Sequence, residues 1–137
     1  MRRWRLIGSV LTAIGLVDAL YLFVNSLFPN IPLACPSSGV INCAAVTSSS
    51  FSKFAGLSVA GLGFAFFVVM LAIFLVGNET LNYLLLPLWA VGAIFVGYLV
   101  YAELFVLGEI CMYCTVDHVI ALVLVLPAIK VALGEET

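Results

Sequence analysis

Leu57-Ser58-Val59-Ala60-Gly61-Leu62-Gly63-Phe64-Ala65-Phe66-Phe67-Val68-Val69-Met70-Leu71-Ala72-Ile73-Phe74-Leu75-Val76-Gly77 runs its whole length without a charged side chain. A helix needs about 20 predominantly apolar residues to cross roughly 30 Å of hydrocarbon, and this run supplies them. The chain around it reads the same way. It has 137 residues, 65% of them hydrophobic and only 9% charged, with a mean hydropathy of +1.29. A soluble domain of this size needs far more charge on its surface, so lipid is the solvent for most of this protein. Three further apolar runs extend from about 6 to 28, from 81 to 107, and from the Cys-x-x-Cys at 111–114 to 133. The expected fold is all-α: one integral membrane domain over 1–137, a four-helix bundle with a loop at 29–56.

The same composition excludes several function classes. A formal net charge of -2, with no basic patch, gives nucleic acid nothing to bind. No glycine-rich phosphate loop is present; the eleven glycines are scattered through apolar runs, where small residues let helices approach closely. The first run has a basic start but is too long for the apolar core of a signal peptide. It also lacks a small-x-small cleavage site near Asn30-Ile31-Pro32, so it is read as a retained helix.

Charge sets the expected orientation. Arg2, Arg3 and Arg5 precede the first run and Lys130 sits near the end of the last, whereas Lys53 is the one basic residue of the long loop. The positive-inside rule then puts both termini and the Asn78-Glu79-Thr80 turn in the cytoplasm. The loop and the Cys-x-x-Cys face outward, on the disulfide-permissive side of a plasma membrane or, in a eukaryote, of the endoplasmic reticulum. Within the loop, Pro29, Pro32 and Pro36 break any early helix. Phe51, Phe54 and Ala55 recur at helical spacing and suggest a short helix in the interface, with an irregular loop as the alternative.

All four cysteines thus gather at one membrane face: Cys35 and Cys43 in the loop, Cys111 and Cys114 where the last helix opens. Residues at i and i+3 share a helix face, so Cys111 and Cys114 can pair or act in turn. A helix N-terminus favours the reactive thiolate, and Glu109 opposes it. Zinc fits poorly, because Cys35 and Cys43 are too far apart for a knuckle. Static disulfides remain the non-enzymatic alternative. His118 follows Cys114 by one turn with Asp117 beside it; it can contact a substrate or merely meet headgroups. Asp18 lies deep in the first run, where an ionisable residue suggests function or, failing that, a packing hydrogen bond. Glu103, close to the outer end of the third helix, is expected to reach headgroups or water.

These residues resemble the vitamin K epoxide reductase family. The resemblance rests on Gly15-Leu16-Val17 and Leu20-Tyr21, then Cys35, Cys43, Val46 and Ser48-Ser49, then Gly56, Ser58 and Gly61. Its last stretch is Phe105-Val106-Leu107-Gly108-Glu109-Ile110-Cys111-Met112-Tyr113-Cys114. The functionally analogous disulfide-forming protein B family carries its Cys-x-x-Cys before its wide pair; here the wide pair comes first. The resemblance implies catalytic roles for all four cysteines. A thioredoxin-like extracytoplasmic partner gives electrons to Cys35 and Cys43, Cys111 receives them, and Cys114 reduces a quinone held among the helices. A substrate-contacting asparagine of vertebrate members corresponds to Leu57, and a tyrosine to His118. Those changes favour a respiratory quinone, of ubiquinone or menaquinone type, over vitamin K epoxide. With no thioredoxin-like segment in these 137 residues, the partner is expected to be a separate protein. The rival expectations are a vitamin K epoxide or quinone reductase and a non-enzymatic bundle with structural disulfides.

Overall fold

A computed structural model describes residues 3–28, 53–54, 57–108 and 110–134. Its elements are α1 (Arg3–Leu27), β1 (Lys53–Phe54), β2 (Leu57–Ser58), α2 (Val59–Val76), α3 (Glu79–Asn82), α4 (Leu85–Tyr101), a π-helix (Ala102–Leu107), α5 (Met112–Val123) and α6 (Val125–Ala132). They form four stretches long and apolar enough to cross a membrane: Arg3–Asn25, Val59–Val76, Glu79–Leu107 and Met112–Ala132. The all-α bundle read from the sequence is therefore the fold. Where a short interfacial helix was expected, Lys53 and Phe54 are instead extended. They pair antiparallel with Leu57 and Ser58, in the register Lys53 to Ser58 and Phe54 to Leu57. Backbone pairing satisfies these N–H and C=O groups at the point where the chain turns into α2, and it overrides the weak helical spacing of the aromatics.

Local chemistry sets where the helices begin and break. Ser58 caps α2, its hydroxyl accepting the Gly61 N–H at 3.3 Å. Gly77 closes α2 in the left-handed region, at φ 75. Asn78 then accepts from the Thr80 N–H at 2.8 Å and starts α3. Pro87 stands in the first turn of α4, where its missing N–H costs least, and it can give no helical hydrogen bond to the Tyr83 carbonyl. The chain accordingly turns at Tyr83 and Leu84 between α3 and α4. Pro127 likewise can give none to the Val123 carbonyl, and the last span breaks at Leu124 into α5 and α6. The Trp89 indole N–H braces that break by donating to the Ala121 carbonyl at 2.8 Å.

α1 is the hub of the bundle. It packs along α2 over most of its length and also touches α5 and α6. Two glycines allow the close approach. A Cβ on Gly8 would stand 2.5 Å from the Phe74 ring, and one on Gly15 would stand 2.6 Å from the Phe67 ring. Gly8 and Gly15 are two turns apart and share a face, so each receives one aromatic ring of α2. Phe67 and Phe74 are buried there with Met70 and Ile73.

The polar groups are inside and the apolar groups outside. Arg5, Ser9, Thr12, Asn82, Glu103 and His118 are buried, while Ile94 and Phe105 are about three-quarters exposed. Ser9 and Thr12 spend their hydroxyls on α1 itself, donating to the carbonyls of Arg5 and Gly8 at 2.8 and 2.7 Å. Arg5 joins three segments. Its Nη1 donates to the carbonyls of Ile73 (3.2 Å) and Phe74 (2.7 Å), and its Nη2 donates to the Asn82 side-chain oxygen (3.2 Å). The C-terminal carbonyls of α2 have no partner within their own helix, and a guanidinium supplies one together with a favourable charge. Arg5 is thus a clamp at the end of the bundle that holds the chain start and the α2–α4 connection together.

Candidate redox site at the end of the last span

The opposite end of the bundle carries Cys111 and Cys114. The third span widens into the π-helix Ala102–Leu107, which Gly108 ends in the left-handed region at φ 66. α5 begins with Cys111 as its N-cap residue, in extended conformation (φ -93, ψ 120). Cys114 follows within the first turn. The Cys111 carbonyl accepts from the Thr115 N–H at 3.0 Å and from the Thr115 hydroxyl at 2.9 Å, which fixes that turn.

Residues from every span converge on this turn. Cys111 is fully buried and clusters with Leu22 of α1, Ala60 of α2, Leu107 of the π-helix, and Tyr113 and Cys114 of α5. Both cysteines carry free thiols, and Cys114 is half-buried. The Cys114 thiol donates to Cys111, and the N–H groups of Cys114 and Tyr113 add to it. Together they hold the Cys111 thiol below its ordinary value, against burial and the nearby Glu103 charge. Cys111 is therefore the member of the pair better prepared to be a thiolate.

Glu103 is not at the headgroups. It is buried, and its carboxylate accepts the Cys111 N–H at 3.4 Å. The N–H groups at a helix start lack intrahelical partners. The wider π turn brings Glu103 round to meet one of them, an orientation that regular helical spacing does not give. Its signal in the sequence was an acidic residue inside an apolar run just ahead of the Cys-x-x-Cys.

Three of the residues singled out in the sequence lie close by. His118 is buried on α5, one turn beyond Cys114. Asp18, half-buried on α1, has its carboxyl beside that of Asp117 of α5, a pairing no sequence pattern announced. A cleft of about 580 Å³ runs beside them, lined by Ala13, Ile14, Val17, Asp18 and Tyr21 of α1 and by Tyr113 and Val116 of α5. Tyr21 and Tyr113 meet edge to face across its end, with centroids 5.2 Å apart and planes at 70°. His118 is not among the residues lining the cleft. Leu57 is described only through its backbone, in β2, and Cys35 and Cys43 lie outside the described residues.

A bundle of four apolar spans, with a vicinal thiol pair buried where its helices meet and an apolar cleft beside it, defines a helical membrane protein equipped for thiol chemistry. The model of the Vitamin K epoxide reductase family matches residues 6–129, so the chain belongs to that family. A search of curated proteins finds no match. Membership makes the chain a multi-pass membrane protein of a family that is in general one of thiol oxidoreductases and quinone reductases, using quinones and working with thioredoxin-like partners.

Proposed function

We propose that this protein reoxidises a separate thioredoxin-like protein outside the cytoplasm and passes the electrons to a respiratory quinone of ubiquinone or menaquinone type. The observation that carries the reading is the position of Cys111. It is buried at the junction of all four spans, held toward thiolate by Cys114, one turn from the cleft. In this reading the partner's two thiols reduce a Cys35–Cys43 disulfide and become a disulfide themselves. A loop thiolate then attacks the Cys111–Cys114 disulfide and forms a mixed disulfide with Cys111. The second loop cysteine resolves it, leaving Cys111 and Cys114 as thiols. Closing that pair again releases two electrons and two protons, the number that convert a quinone to a quinol.

The cleft suits such an acceptor. Its volume falls within the range of small-molecule pockets, its walls are largely apolar, and its few polar groups (Asp18 and the two tyrosines) can meet ring oxygens. His118 stands one turn below Cys114 as a further candidate contact. Leu57 and His118, where vertebrate members carry asparagine and tyrosine, speak against epoxide reduction. In the orientation proposed, the termini are cytoplasmic, the cysteines face outward and the membrane is the plasma membrane; the distribution of Arg and Lys supports this.

The test is to purify the protein, extract and identify any bound quinone, and follow quinone reduction by a reduced thioredoxin-like donor in the wild type and in each cysteine variant. Cys114→Ala should abolish quinone reduction and trap a mixed disulfide at Cys111. Retained activity would end the relay reading. Full activity with vitamin K epoxide would move the assignment to an epoxide reductase.

A further inference from the structure

Asp18 of α1 and Asp117 of α5 bring their carboxyl groups together inside the membrane-spanning region, within reach of a shared proton. Two carboxylates at hydrogen-bond distance cannot both be ionised, least of all in lipid. Oδ2 of Asp18 and Oδ1 of Asp117 are buried, and no other described group hydrogen-bonds to either, so a proton held between the two carboxyls is what can satisfy them. The pair also has a direction. Asp117 stands one turn from Cys114 on the same helix, close enough for their charges to interact, and also feels Cys111. Asp18, on the other helix, lines the cleft beside Tyr21 and Tyr113.

We propose that Asp117 and Asp18 are a proton-sharing pair that carries a thiol proton from Cys114 to the quinone in the α1/α5 cleft. The proposal rests on the thiol-to-quinone reading given above. As Cys111 and Cys114 close to a disulfide, two electrons pass to the quinone. The proton leaving the Cys114 sulfur is taken up by the Asp117 carboxyl. The shared proton moves fully onto Asp18 and passes from there to a quinone oxygen, and the proton from Cys114 takes its place in the pair. The pair ends with the single proton it began with. The second thiol proton completes the quinol, so the dithiol and quinone become disulfide and quinol with nothing left over. Tyr21 and Tyr113 close the end of the cleft and are the other titratable groups that face the pair from these two helices.

Asp117→Asn and Asp18→Asn keep the shape of the pair and remove its ability to pass a proton. The full-length protein would be reduced with dithiothreitol and mixed with a short-chain ubiquinone in a single turnover, in water and in deuterium oxide. Each variant should lose about a hundredfold in the rate of quinone reduction. Its deuterium isotope effect should change, while reduction of its cysteines by dithiothreitol stays as in the wild type. Infrared spectra of the wild type should show a protonated-carboxyl band that shifts when the cysteines are oxidised and vanishes in Asp117→Asn. Should that variant not survive purification, the wild-type band alone decides. Variants as fast as the wild type with an unchanged isotope effect, or a wild type without the band, would overturn the relay and leave the quinone reading standing. A wild type that reduces no quinone would overturn both.

Discussion

Glu103 and Cys111 oppose one another in an instructive way. The Glu103 carboxylate accepts the Cys111 N–H and so helps to fix the first turn of α5. Its negative charge, however, raises the Cys111 thiol toward neutrality, while the Cys114 thiol lowers it by more. Glu103→Gln keeps an acceptor oxygen and removes the charge. The Cys111 thiolate should then form at lower pH, and the pH profile of mixed-disulfide formation at Cys111 should move to the acid side, because thiolate is the attacking form. Stopped-flow exchange with a small disulfide across a pH series would measure the shift, and a shift to the alkaline side would contradict the charge argument. The two cysteines were legible from spacing alone, since i and i+3 on a helix share a face. Glu103 was not, because hydropathy registers an acidic residue near a span end and cannot register a π turn that rotates it inward. Asp18 stood out for its cost in lipid, but its partner did not. Two carboxyls on different helices find each other only through packing.

At the level of elements, capping residues decide more than propensity. Every apolar run here would make a helix in lipid, so the sequence positions that matter are those that end one: Ser58, Gly77, Pro87, Gly108 and Pro127. Gly and Pro punctuate the sequence visibly, so the existence of four spans was readable. The β1/β2 pairing was not, because its strands are two residues long and leave no period to detect. Arg5 is the strongest cap of all. Counted from the sequence it is one of several charges that orient the first span; in the structure it closes the end of α2 and reaches Asn82. Arg5→Ala removes charged hydrogen bonds to three buried acceptors, of which the Ile73 carbonyl keeps only the long bond from the Gly77 N–H at 3.5 Å. Hydrogen bonds to charged groups are worth about 1.5–3 kcal/mol each, and a loss of that order for the whole protein is expected. Arg5→Lys should recover part of it, since an ammonium can reach one carbonyl but cannot reproduce the fork. Thermal unfolding in detergent would rank the three proteins. Equal midpoints for wild type and Arg5→Ala would show that water or lipid headgroups replace the clamp.

Across the whole molecule, lipid supplies no hydrophobic force between helices, so close packing has to hold the bundle together. α1 carries much of that burden: its contact with α2 is the most extensive between any two helices, and it also touches α5 and α6. It also supplies Leu22 to the cysteine cluster and Asp18 to the cleft, so the seating of α1 on α2 sets the geometry of the site. The seat is the pair of glycines under Phe67 and Phe74. Gly15→Ala would put a Cβ into a ring that is itself buried and has little room to move, and overpacking of this kind costs about 1–3 kcal/mol. Phe67→Leu alone should also destabilise, by opening space beneath the α1 backbone. The two changes compensate if the contact is what matters: the methyl gained on α1 occupies volume given up on α2. The double variant should therefore lose clearly less stability than the sum of the single losses, as expected for residues that share one packing site. Denaturation midpoints for the four proteins in the same detergent would measure that coupling, and strict additivity would mean that α1 is held to α2 by something other than these rings. Quinone reduction should fall in the single variants and return in the double, because a shifted α1 carries Asp18 and the wall of the cleft with it.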